Sequence, residues 1–371
     1  MSSARRVVVR PALAPRRRGK TPGWFQPSMR QLGIGVVETM VGIVVGMVVT
    51  LVIYQMFVGF EGQRRVTLGT ATAQQTGAYA LSVLGRDIGM AGWGSVAAGG
   101  LTCNDAYTWD AVAGSMLAAG LSMQPVVVIN GAGGASDTVI VNRGTSLRAG
   151  TPLALQGNMS SAQSAVRLAS TTGFQPGDLI WVLEGSKCTL MEISAIDAVQ
   201  GLLSHDSAPD RRYNPTSVSG WPVYTTAATA YGMGRIVSNR YKVVGGDLVM
   251  NNLTSIAGST GDDIVAANVV NLQAQYGLSA TRSSPQVTQW VDGGVVPNLD
   301  AARIRAVRIA VLTRVDEAAR VDTSGNCPVR AAPVMWPGGG AFDMSGVPNW
   351  MCHRYRVHQT VIPLRNILLA F

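Results

Sequence analysis

Residues 34–60 read IGVVETMVGIVVGMVVTLVIYQMFVGF, an apolar run in which Glu38 is the single charged side chain. At about 1.5 Å per residue, about 20 such residues cross the ~30 Å apolar core of a bilayer, so the run predicts a transmembrane helix. The helical pattern continues past Phe60. Ala73, Gly77, Leu81, Leu84 and Ile88 recur at steps of three and four, which places them on one face, while Gln74, Gln75, Ser82 and Arg86 fall largely elsewhere. Gly59, Gly62, Gly69, Gly77 and Gly85 each weaken a helix by about 1 kcal/mol relative to alanine. They predict a bend or loosening near 59–70 and a helix end near 89–94.

After Trp93 the pattern becomes short apolar and alternating runs separated by turn residues. Strands are expected at 126–130, 138–143, 165–169, 178–184 and 189–194, and later at 269–276, 305–312 and 355–362. Segments 241–244 and 247–250 flank Gly245 and Gly246, a two-residue hairpin turn. In 305–312 (RAVRIAVL), Ala306, Ile309 and Leu312 also permit a helix. The fold class is α+β: a long, partly transmembrane N-terminal helix packed on a β-rich globular head. Residues 34–60 form the transmembrane half of that helix, 61–92 its amphipathic half, and 93–371 the head.

Charge orients this arrangement. The chain carries a formal +9, a value that prompts a nucleic-acid hypothesis. Residues 1–33 hold Arg5, Arg6, Arg10, Arg16, Arg17, Arg18, Lys20 and Arg30 and no acid, which leaves about +1 for everything beyond. Cations before the apolar run and Glu61 after it keep the N-terminus cytoplasmic and export the rest. A cleaved secretory signal has an apolar region of only about 7–15 residues followed by a small-x-small site; this run is longer and no such site directly follows. A plain signal anchor fits the length but leaves Glu38 unexplained. A carboxylate at membrane depth costs about 2.5–3.5 kcal/mol unless it nears the interface or finds a partner.

Enzymatic motifs are sparse. Gly131, Ala132, Gly133 and Gly134 lack the Lys-Ser/Thr of a phosphate loop and read as a surface turn. His353 and His358 lie five apart around an expected strand, so they face opposite ways. Gly261, Asp262 and Asp263 lack the rest of a calcium loop and read as a solvated turn. No GxSxG or HExxH occurs. No metal and no cofactor is expected. The stretches Arg211, Arg212, Tyr213 and His353, Arg354, Tyr355, Arg356 interleave cations with aromatics, as single-stranded DNA binding requires. With the exported part near neutral, they read instead as solvated strand faces. Cys103, Cys188, Cys327 and Cys352 contain no CxxC pair and no zinc-finger spacing with His205, His353 or His358. An even number in an exported domain suggests two disulfides, with three connectivities open.

Arg30, Gln31, Leu32 and Gly33, then Ile34 and Glu38 opening a long apolar helix, resemble the type IV prepilin family. The resemblance implies cleavage by a prepilin peptidase after Gly33 and methylation of the new amine of Ile34. It also implies that Glu38, fifth in the mature chain, neutralises an N-terminal ammonium during assembly. Residues 1–33 are then the leader, with Ile34 where the family usually has Phe, and Met29 as an alternative start. Gly42 and Gly46 form a GxxxG suited to close helix packing.

Further blocks are similar to the PilW family of minor pilins: RDIGMAGWG at 86–94, SDTV at 136–139, GDL at 177–179 with Cys188 ten residues past Asp178, VNLQAQYG at 270–277, RAVRI at 305–309 and VIPLRN at 361–366. That likeness implies bridges Cys103–Cys188 and, by remainder, Cys327–Cys352. It implies a non-enzymatic protein of the bacterial inner membrane with a periplasmic head. Its partners would be other minor pilins, the major pilin and a pilus tip adhesin, in starting or capping a type IV pilus. A type II secretion pseudopilin shares the N-terminal chemistry. A membrane-tethered periplasmic enzyme or receptor is the alternative of another class.

Overall fold

The computed structural model describes residues 35–94, 105–111, 114–116, 124–146, 151–215, 220–253, 261–294, 303–319, 324, 327 and 329–368. By its contacts the chain divides into two compact units, Met1–Glu61 and Gly62–Phe371.

Helix α1, Val36–Gly89, runs for 54 residues. In the first unit its side chains up to Phe60 are all exposed. The hydroxyls of Thr39 and Thr50 donate to Val36 O at 2.8 Å and Gly46 O at 2.7 Å, so neither is left unpaired on this apolar surface. The loosening expected at 59–70 is not observed, since those residues are helical throughout. The glycines here are isolated from one another and no proline accompanies them, so each weakens the helix without breaking it. Gly69 also answers a packing need: a Cβ on it would stand 2.7 Å from Val315 Cγ1.

In the second unit the helix buries Ala73, Gly77, Ala80, Leu84, Asp87 and Ile88. Ala80 takes the place expected for Leu81, which is half-buried at the edge of the same core. Twelve strands of four or more residues are described beyond it. They are β1 Val126–Ile129, β2 Thr138–Arg143, β3 Leu179–Glu184, β4 Lys187–Glu192, β5 Thr229–Gly234, β6 Val237–Val244, β7 Asp247–Asn252, β8 Asp263–Ala266, β9 Val269–Ser279, β10 Val287–Asp292, β11 Ile304–Arg314 and β12 Tyr355–Pro363.

One five-stranded antiparallel sheet has the order β8-β7-β6-β2-β1, and a four-stranded one the order β10-β9-β11-β12. Both contribute to a core with Ala80, Leu84 and Ile88 of the helix. The inward residues of β9 (Leu272, Ala274, Tyr276, Leu278) and β11 (Val307, Ile309, Val311) alternate with outward ones, the period-2 pattern of a strand. RAVRIAVL is therefore a strand, and its helical ambiguity came from burial on both faces. β6 and β7 join through Gly245 and Gly246 at φ +63° and +91°, the two positive angles that a type I′ turn demands.

A further five-stranded sheet sets Asp105–Ala106, β4, β3, β5 and Leu153–Ala154 in that order. Beside it lies a three-stranded sheet of Ala195–Asp197, Leu202–Ser204 and Val166–Arg167, and the two share a core around Ile180, Val182, Met191, Leu203 and Tyr224. The segment 331–350 forms a strap: its Val334, Trp336, Phe342 and Met344 pack on Val270, Ala310 and Leu312 of the four-stranded sheet. The Cys327–Cys352 disulfide ties the strap at its base.

Candidate functional site

The features expected to carry function lie along α1 and where it joins the head. Its first half offers an uninterrupted apolar surface: Val36, Ile43, Leu51 and Phe60 are 76%, 59%, 60% and 70% exposed. This stretch makes α1 long and apolar enough to cross a membrane. Glu38 lies in its first turn, exposed, and among the described residues no side chain bonds its carboxylate. Gly42 and Gly46 are one turn apart, and a Cβ on either would meet nothing within 4 Å. Gly33 and Ile34 lie outside the described residues.

The other end of the helix is bolted to the head through Asp87. Its Oδ2 accepts from Tyr241 OH at 2.8 Å and Asn239 Nδ2 at 2.9 Å, and its Oδ1 from Arg143 Nε at 3.3 Å. A buried carboxylate is tolerated when donors surround it in this way. The apolar surroundings and the negative charge of Asp87 push the Tyr241 hydroxyl well above its usual pKa, so it stays a donor. The chain then turns sharply. Gly92 N donates to Asn142 O, Trp93 Nε1 to Ser146 O, and Asn366 Nδ2 to the carbonyls of Met90 and Ala91. The blocks at 86–94 and 361–366, almost 300 residues apart in sequence, thus meet at one junction.

The blocks at 136–139 and 270–277 meet as well. Asp137 Oδ1 accepts from Gly131 N at 2.8 Å and Oδ2 from Ala274 N at 2.7 Å, while Asp137 N donates to Leu272 O at 2.8 Å. Tyr276 OH donates to Val126 O and accepts from Val128 N, which closes the seam between the two sheets. In the 177–179 block, Asp178 Oδ2 accepts from Gln175 N and Gly177 adopts φ +88°. The blocks at 136–139 and 270–277 thus hold the two sheets together.

Cys327 is bonded to Cys352, as expected. Cys188, fully buried in β4, is also disulfide-bonded, and its expected partner Cys103 lies outside the described residues. The aromatic-basic stretches are committed in part, and Arg354 and Arg356 are exposed. Arg212 forms a two-pronged pair with Asp110 at 2.9 and 2.7 Å, and Tyr355 OH donates to Trp350 O. His353 Nδ1 lies 3.1 Å from Val315 O, whereas His358 packs against Gly77 of the helix. Asp262 pairs with Lys242 at 2.9 Å. Among the described residues no cluster of three metal-binding side chains occurs.

Two groups lie inside the blocks likened to PilW, which gave them no individual role. Asp87 was legible in principle: it falls seven residues after Ala80 on the buried face, a charged residue in an apolar stripe. The amide row Asn271, Gln273 and Gln275 on the outward face of β9 was signalled by the strict alternation of VNLQAQYG.

Residues 235–366 match the family model described as Type IV Pilus-assembly protein W, PilW. The resemblance read from the blocks at 270–277, 305–309 and 361–366 is borne out over that segment. Among solved structures, a type IV-like pilin from Thermus thermophilus is similar at 14% identity and a TM-score of 0.23, with 52% of this chain and 86% of that chain covered. No curated protein matches the chain.

Proposed function

We propose that this chain is a minor-pilin-like subunit that takes part in type IV pilus assembly through its N-terminal helix. The observation that carries the reading is the division of α1: one half presents bare apolar surface with a single acid, and the other is built into a head whose C-terminal part matches PilW. In this account a prepilin peptidase cuts after Gly33 and the amine of Ile34 is methylated. Glu38 then faces the N-terminal ammonium of its own or a neighbouring chain. An acid in apolar surroundings is far cheaper paired than alone, so the pairing fixes the register of one helix against the next. Gly42 and Gly46 let helices approach closely. The N-terminus lies in the cytoplasm, the helix in the inner membrane, and the head in the periplasm among other minor pilins, the major pilin and a tip adhesin. The role is structural rather than catalytic.

Glu38→Ala tests the role of the acid. The variant inserts into the membrane at wild-type levels, because removing a charge favours insertion, but supports few or no pili. Wild-type pilus numbers in that variant would contradict the assigned role.

A further inference from the structure

An open cleft of about 600 Å³ lies between the 131–135 turn and the strap, over the outward face of β9 and β10. That volume falls within the roughly 300–1,000 Å³ of small-molecule sites. Gln273, Gln275 and Asp292 contribute to its lining, with Asn130 at the rim and Trp336 and the glycines 338–340 on the strap side. The walls are held firmly. Asp343 N of the strap donates to Gly134 O at 2.8 Å, and a Cβ on Gly134 would stand 2.4 Å from Ala341 O. Arg308 reaches up from β11, donates to Gln275 Oε1 and, at 2.7 Å, to Gly338 O, and lies 4.6 Å from the Trp290 ring and 5.2 Å from the Trp336 ring.

The polar atoms left over define what the cleft can take. Gln273 donates its amide to Gly134 O, Ala135 O and Asn271 Oδ1, and its own Oε1 has no partner among the described residues. Asp292 accepts from Gln275 Nε2 at 2.6 Å through Oδ1, which leaves Oδ2 open. The side chain of exposed Asn130 is likewise unengaged among the described residues. The open groups are therefore mostly acceptors, which call for a ligand rich in hydroxyl donors. A bare cation is disfavoured: among the described residues Asp292 is the one carboxylate in the lining, and the charge of the Arg308 guanidinium acts on it. An anion is disfavoured too, because Arg308, held through Nε and Nη2 by Gln275 Oε1 and Gly338 O, does not line the cleft, and Asp292 repels it. We propose that this cleft binds a neutral saccharide, with Asp292, Gln273 and Asn130 accepting from its hydroxyls.

The test uses the full chain in a detergent without a sugar headgroup, so that the detergent cannot fill the site. Maltotriose, cellotriose, chitotriose and lacto-N-tetraose are titrated, with saturation-transfer NMR and tryptophan fluorescence as readouts; calcium, inorganic phosphate and a short neutral peptide are the comparison ligands. At least one saccharide is expected to bind saturably. Asp292→Asn keeps an oxygen for Gln275 Nε2 to donate to, and Asn130→Ala changes an exposed side chain, so both should keep about the wild-type melting temperature. Losing the charged acceptor in the former should weaken binding about tenfold or more. Failure of all four saccharides, binding unchanged in both variants, or preference for a comparison ligand would overturn the proposal. Because binding is measured on purified protein, a failure leaves the assembly role standing, and a loss of piliation in Glu38→Ala says nothing about the cleft.

Discussion

Asp137 stands one residue before β2, and both its carboxylate oxygens are taken by backbone donors, Gly131 N and Ala274 N. Burial pushes its carboxyl up from 3.8 to about 6; the two donors pull the other way, and the charge of Asp292 adds to the rise. The raised value fixes the sign of the pH effect. The folded state holds this proton more tightly than the unfolded chain between pH 3.8 and about 6, so the group's contribution to stability is complete below that window and is lost as pH rises through 6. From pH 5 to pH 7 the loss is about 1 kcal/mol. Chemical denaturation of the wild type should show that decline, and Asp137→Asn should flatten it by a comparable amount. An unchanged slope in the variant would place the titrating group elsewhere.

At the scale of elements, periodicity was informative where one face met water and less so where neither did. β2 occupies the expected 138–143, and the 245–246 hairpin has the expected turn. β5 (TAYGMG) was not among the expected strands, and it lies between β3 and Leu153–Ala154. Gly232 is there for space, since a Cβ would approach Phe174 Cε1 to 2.6 Å. The helix glycines divide in the same way. A Cβ on Gly77 would stand 2.1 Å from the His358 ring, whereas one on Gly85 meets nothing within 4 Å. Gly85→Ala should stabilise the head by about 1 kcal/mol through helix propensity. Gly77→Ala should destabilise it by roughly 1–3 kcal/mol, because overpacking outweighs the same gain. Thermal melts of the two variants should shift in opposite directions, and a common direction would contradict the packing of the helix on β12.

For the whole molecule, the sequence pattern located a long apolar helix ahead of a β-rich head, and the match over 235–366 adds a pilus-assembly family to that architecture. What it could not supply was the internal wiring. Asp87 finds Arg143, Asn239 and Tyr241 from 56 to 154 positions away in the chain, and no local spacing encodes such pairings. The charge distribution bears on function at this scale. Eight of the cations precede Ile34 and the chain as a whole carries +9, so removing the leader would leave a subunit with little electrostatic attraction for nucleic acid. The central claim, that the chain is processed and assembled as a pilin, turns on that junction. Its most direct test is mass spectrometry of the N-terminus after expression with and without a prepilin peptidase. A chain that begins at Ile34 is expected when the peptidase is present, and the uncut precursor when it is absent. An uncut precursor in both cases would contradict it.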